Sequence, residues 1–148
     1  MAAVSQSCPF CAIARGEDPS AEIVCEREDW VAFFPPEPAT PGHTLVIPRG
    51  HVPDLWAAPP GLAANLIEAA IHVGHAVETA VGPDGMNLIT SAGEAAEQSI
   101  FHLHLHVVPR WPDDQLDIWP PKVTMQRSVK EDLATAVRDA CSREVVGD

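Results

Sequence analysis

"FHLHLHVVPR" occupies residues 101–110, and its reading decides the fold. His102, His104 and His106 stand at every second position with Phe101, Leu103, Leu105 and Val107 between them, the period of a β-strand with one polar and one apolar face. The aliphatic face belongs to a core. Half-buried strands ordinarily carry Thr, Lys or Glu on the open face, so a row of imidazoles there points to chemistry. On strand spacing, neighbouring imidazoles stand ~7 Å apart and the outer pair ~13 Å, so one metal ion reaches two adjacent histidines but not all three. The row therefore serves more than one purpose.

Outward from it, "MNLITS" (86–91), "HTLVIP" (43–48), "WVAFF" (30–34) and "AEIVCE" (21–26) read as four further strands, bounded by Pro, Gly and Asp. Residues 61–81 place Leu62, Leu66, Ile67, Ala70, Val73, Val77 and Val81 at helical spacing, and "GPDG" ends that segment. A second helix is expected over 128–141, with Val129, Leu133, Ala136, Val137 and Ala140 on one side, and a short turn or helix over 8–15. Strands joined by short turns, with helices set apart, define an α+β class with a five-stranded antiparallel sheet, one long helix and a C-terminal helix. At 148 residues and 46% apolar, the chain reads as a single domain over 1–148, with its core in 8–110 and a Pro/Trp loop plus C-terminal helix in 111–148.

A formal charge of −12, with nine scattered Lys and Arg, excludes a nucleic-acid surface, so any anionic ligand is small and held locally. The most apolar stretch, 62–81, is interrupted by His72, Gly74, His75, Glu78 and Thr79, and residues 1–7 carry no basic region ahead of an apolar one. A soluble, cytoplasmic protein without membrane association is expected. Its four cysteines are then reduced thiols or metal ligands. Cys8 and Cys11, in "CPFC", match a redox pair as well as half of a zinc site. A glutaredoxin-like site follows a buried strand, which the first seven residues do not supply. Zinc needs two more ligands, and His43, His51 and His102 are available. Cys25 and Cys141 read as packed or idle thiols, and His72 and His75 as polar-face residues of the long helix.

With the row, "PGHTLVIPRGHV" (41–52), "GEAAEQSIFHLHLHVVPR" (93–110) and "CPFC" on the page, the chain resembles the histidine triad (HIT) family, in its zinc-bearing, Hint-like branch. The triad pattern of alternating His and apolar residues followed by two apolar residues runs from His102 to Val108. The resemblance implies a homodimer built on the long helix and the "MNLITS" strand. It further implies nucleotide binding and cleavage at the α-phosphorus of a nucleoside phosphoramidate or dinucleoside polyphosphate, through a nucleotidyl-histidine intermediate. His104 is then the nucleophile and His106 a donor to the phosphate oxygens; Ser99 and Gln98 lie by the scissile bond, Ser99 assisting the leaving group. His43 orients the row from beneath. Trp119, in "DIWPP", covers the substrate or packs as an ordinary Trp. Cys8, Cys11, His51 and His102 hold structural zinc in a closed Cys2His2 set.

Three positions depart from the family pattern. Pro35 stands where an acid binds ribose, Ser91 where Asn is common, and Glu97 where glycine precedes the Gln. Ser91 and Glu97 are therefore candidates for altered substrate contact. These departures keep a second reading open, a divergent binding or scaffold protein with a degraded nucleotide pocket. A third, a cupin-like metalloenzyme using the row as ligands, lacks the acidic ligand motif.

Overall fold

The computed structural model describes residues 7–143; the leader reading of residues 1–7 thus falls almost wholly outside the described residues. Two compact units divide the chain, Met1–Leu116 and Asp117–Asp148. In the first, α1 (Pro9–Ala14) leads into β1 (Glu22–Glu26), β2 (Trp30–Phe34) and β3 (Thr44–Pro48), then α2 (Pro60–Val81), β4 (Gly85–Ile89) and β5 (Leu105–Arg110). The five strands form one antiparallel sheet in the order β1-β2-β3-β5-β4. This is the α+β architecture expected from the sequence. Among the described residues no helix is long and apolar enough to cross a membrane.

Each sheet face has its own cover. Leu66, Ala69, Ala70, Val73 and Val77 recur at helical spacing along α2 and bury against Ala32, Val46, Leu105 and Val107. Fully burying each larger aliphatic contributes roughly 1.5–3 kcal/mol, which fixes the helix along the middle of the sheet. Gly82, in the left-handed region at φ 57°, ends α2. On the opposite face α1 sets Phe10, Cys11, Ile13 and Ala14 over Val31, Phe33, Leu45 and Ile47. Phe10 meets Phe33 edge-on at 5.3 Å between centroids. Arg49 ties α1 down, donating to the Ala14 and Arg27 carbonyls and pairing with Glu26.

The histidine row corrects the expectation of a continuous strand. Regular pairing begins only at Leu105, opposite Val46, so His102 and His104 lie in an irregular approach to β5 while His106 lies within it. The interleaved Leu103, Leu105 and Val107 are buried as expected, each 1% exposed. In the second unit α3 (Arg127–Ser142) presents no buried residue, with Val129, Leu133 and Val137 all exposed.

Candidate active site and metal centre

His106 is paired across the sheet with Leu45 on β3 and Ile89 on β4, and so points to the face that α1 half covers. His43, immediately before β3, lies beside it. The Ala39 amide donates to His43 Nδ1 at 2.9 Å, which makes that nitrogen an acceptor and places the proton on Nε2. His43 Nε2–H then donates to His106 Nδ1 at 2.9 Å, leaving the His106 proton on its outer nitrogen. His104 is set in the opposite sense. Its Nδ1–H donates to the His102 carbonyl at 2.7 Å, so Nε2 carries a lone pair with no partner among the described residues. The His104 and His106 ring centroids are 4.9 Å apart, closer than strand rise predicts because His104 lies off the strand. A nucleophilic nitrogen and a hydrogen-bond donor thus stand side by side.

The imidazoles are neutral at physiological pH. Burial lowers the pKa of His43 and of His104, the latter against its bond to the His102 carbonyl. Burial, then the like charges of His104 and His43, pull His106 down to about 4. Thr90 Oγ1 donates to the His104 carbonyl at 2.9 Å and fixes the backbone from the far side. Phe10 stacks edge-on against both His102 and His104, with centroids 6.0 and 5.1 Å away. Neither Thr90 nor Phe10 stands out from the sequence reading. For Phe10 a signal is present, an aromatic residue between the paired cysteines. Thr90 gives none beyond strand propensity.

The neighbouring cluster joins three stretches of chain: α1 with its cap, the loop after β3 and the approach to β5. Cys8 caps α1, its Sγ accepting from the Cys11 amide at 3.4 Å. Cys11 Sγ lies 3.3 Å from His51 Nδ1 and 3.5 Å from His102 Nδ1, and Cys8 Sγ lies 3.6 Å from His102 Nδ1. The His51 and His102 Nδ1 atoms are 3.2 Å apart, and all four donor atoms fall within 4.8 Å of one another. Edges of a zinc tetrahedron with ligands at ~2.0–2.3 Å run ~3.3–3.8 Å, so the donors converge as that ion requires. His102 Nε2–H is held by the Pro48 carbonyl at 2.8 Å, which turns the Nδ1 lone pair inward. Burial and the adjoining Cys8 push the Cys11 thiol up, and a dication among these sulfurs would reverse that. This donor chemistry fits a closed Cys2His2 site and leaves no protein-free position.

Around these two clusters lie the other residues that the sequence singled out. Ser99 is exposed between Gln98 and the approach to β5, and Ser91 is half-buried two residues past β4. Gln98 is buried and directs its side chain to backbone groups, donating to the Pro53 and Ile100 carbonyls and accepting from the Gly93 amide. Glu97 keeps the turn that glycine would make, at φ 65° and ψ 25°, and its side chain is exposed. Pro35 is half-buried just beyond β2. Trp119 belongs to the second unit and is 81% exposed. Cys25 and Cys141 are free thiols, half-buried and exposed, and His72 and His75 lie on the exposed side of α2.

This sheet, with a histidine row on one face beside a Cys2His2 cluster, defines a histidine triad domain. The HIT domain family model matches residues 15–113, and the chain belongs to that family. Adenylylsulfatase HINT3 of Arabidopsis thaliana is 33% identical over 140 residues, covering 95% of this chain and 70% of the relative. A crystal structure of a Streptococcus mutans protein superposes with a TM-score of 0.86 at 35% identity, covering 95% of this chain and 89% of that one. A zinc-bound histidine triad family protein from Mycobacterium smegmatis superposes with a TM-score of 0.70, also at 35% identity, covering 93% and 98%.

Proposed function

We propose that the protein is a hydrolase or nucleotidyl transferase that cleaves a nucleotide at its α-phosphorus, acting on a nucleoside phosphoramidate or a dinucleoside polyphosphate. The observation that carries this reading is the opposed setting of two neutral imidazoles: His104 Nε2 with a free lone pair, His106 with its outer N–H, each fixed by a bond at the inner nitrogen. His104 Nε2 attacks phosphorus, the bond from phosphorus to the leaving group breaks, and the electron pair departs with that group, which takes a proton assisted by Ser99. Water then attacks the nucleotidyl-histidine and gives up a proton to solvent, replacing the one that solvent supplied to the leaving group by way of Ser99; the P–N bond breaks, and the electron pair returns to His104. His106, oriented through His43, donates to the phosphoryl oxygens as charge builds on them. The HINT3 relative, by name a sulfatase of an adenylyl compound, is consistent with chemistry at that phosphorus.

Of the two proposed substrates, charge favours the phosphoramidate. Residues 1–116 contain four arginines and no lysine against fifteen acids. Arg15, Arg49 and Arg110 are paired with Glu17, Glu26 and Asp114. Neutral imidazoles can hold one anionic group by hydrogen bonds, whereas a polyphosphate would meet an acidic surface. Zinc, in this reading, is held by Cys8, Cys11, His51 and His102 and is structural; when bound it cross-links α1 to the segment bearing the nucleophile. A cytoplasmic homodimer is part of the same proposal. Support for the homodimer is the unpaired edge of β4, where Met86 and Leu88 are exposed and line one hollow with the exposed Ile71 of α2.

Incubation with adenosine phosphoramidate, adenylyl sulfate and a dinucleoside polyphosphate, quenched for intact mass spectrometry, tests the reading. A nucleotidyl adduct mapped to His104, absent from His104→Ala, is expected. Full turnover by His104→Ala on a substrate the native protein cleaves refutes it.

A further inference from the structure

The Gln98 amide is 4% exposed and joins three stretches of irregular backbone. Its Oε1 accepts from the Gly93 N–H at 2.8 Å, and its Nε2 donates to the Pro53 carbonyl at 2.7 Å and the Ile100 carbonyl at 3.0 Å. The orientation is unambiguous, because the flipped amide would set NH2 against N–H and oxygen against two carbonyls. Both donors are used, and the acceptor is engaged. Backbone bonds close the same turn, with the Ala96 and Gln98 amides both donating to the Gly93 carbonyl at 3.1 Å.

The three partners are informative by position. Pro53 lies two residues past His51, Ile100 two residues before His102, and Gly93 opens the turn that carries Ser99 out at its end. Residues 99–104 have no strand or helix to hold them. Their other ties are hydrogen bonds and packing: Leu103 N–H to the Val52 carbonyl at 2.7 Å with its side chain in the core, Thr90 to the His104 carbonyl, His104 Nδ1–H to the His102 carbonyl, and His102 through Nε2–H to the Pro48 carbonyl and through the Cys–His cluster; of these only Leu103 reaches the 51–53 loop by main chain. We propose that Gln98 is a positioning residue, which locks the metal-binding loop to the approach of β5 and so sets Ser99 and His104 in register, without itself touching substrate. Its kinetic consequence rests on the proposed cleavage reaction; its consequence for metal retention does not.

Two variants of similar length test this. Gln98→Met removes all three bonds, and Gln98→Glu keeps the acceptor for Gly93 while turning the second oxygen against two carbonyls. Zinc-loaded full-length protein is assayed for kcat and KM on two adenosine phosphoramidates whose leaving amines differ in basicity, and for zinc transfer to a chromogenic chelator. A displacement of about 1 Å costs on the order of a hundredfold, so kcat should fall roughly ten- to a hundredfold in both variants, by the same factor for both amines, with KM little changed. Zinc transfer should quicken about tenfold, because the Pro53 link is gone. A kcat within twofold of native together with native zinc transfer overturns the proposal. So does a loss that depends on the leaving amine, which would place Gln98 on the leaving group. If the native protein cleaves no phosphoramidate, kcat is read on whichever of adenylyl sulfate and the dinucleoside polyphosphate it does cleave; if it cleaves none of the three, the proposed reaction fails and zinc transfer alone decides Gln98. If neither variant folds, amide exchange in the native protein decides: slow exchange of the Gly93 N–H and of both Gln98 side-chain protons supports the lock, and fast exchange of either overturns it.

Discussion

Replacing Glu97 by glycine and, separately, by alanine distinguishes backbone strain from charge. Glu97 closes the turn of Glu94–Ala96 at φ 65° and ψ 25°, a left-handed conformation in which a side chain costs ~1–2 kcal/mol. Glycine removes that cost but loses more chain entropy on folding, ~0.5–1 kcal/mol. The balance favours Glu97→Gly by about 0.5–1 kcal/mol. For a chain of this length that is a rise in Tm of roughly 1–4 °C. Alanine keeps the strain and loses only an exposed carboxylate, so Glu97→Ala should stay within about 0.5 kcal/mol of native. Calorimetry and urea denaturation of the three proteins give the order. Should Glu97→Gly be no more stable than Glu97→Ala, the strain argument fails. The same pair reads out charge, since Glu97 stands two residues before Ser99. If its carboxylate repels anionic substrates, both variants lower KM for a dinucleoside polyphosphate equally, and added salt shrinks the gain.

Gly42 stands at φ +90°, where a Cβ would come within 3.2 and 3.3 Å of the Val81 methyls and 3.4 Å of the Pro109 ring. Gly42→Ala should cost about 2 kcal/mol, lower Tm by roughly 4–8 °C and depress kcat by shifting His43; an unchanged melting curve contradicts the contact. The histidines also set a pH dependence. The folded chain refuses protons that the unfolded chain takes up below about pH 6.5, so the unfolded state binds more of them and stability falls as pH drops from there toward the His106 value of about 4. His106→Asn, compared with native protein by Tm from pH 7 to 4, should flatten part of that fall; identical slopes would mean that His106 takes up its proton normally. Purified native protein should hold one zinc per chain, and Cys11→Ser should hold less and melt lower. Equal zinc in both, or none in the native protein, removes the structural-metal reading.

The elements that sequence pattern locates are those whose cause is local. The α2 helix is legible because its apolar residues recur on one stripe and glycine follows at the αL position; the first four strands are legible because turn residues bound them. The site residues are legible as a set of side chains, but their wiring is not, because it depends on backbone groups brought together from far along the chain. Gln98 finds the Pro53 carbonyl 45 residues away, and Cys8 finds His102 across 94. No spacing rule encodes such partners. The histidine row is the instructive case. Its period of two reads as the pleat of a strand, yet the ladder starts only at Leu105, and two of its three members, His102 and His104, are not pleated into it. The period has a second physical meaning there. A histidine two residues after a carbonyl can fold its Nδ1–H back onto it, as His104 does on His102, while His102 turns its own ring to the cysteines. His102 thereby joins the Cys–His cluster through its side chain and holds His104 through its main chain, and disturbing either partner disturbs the other.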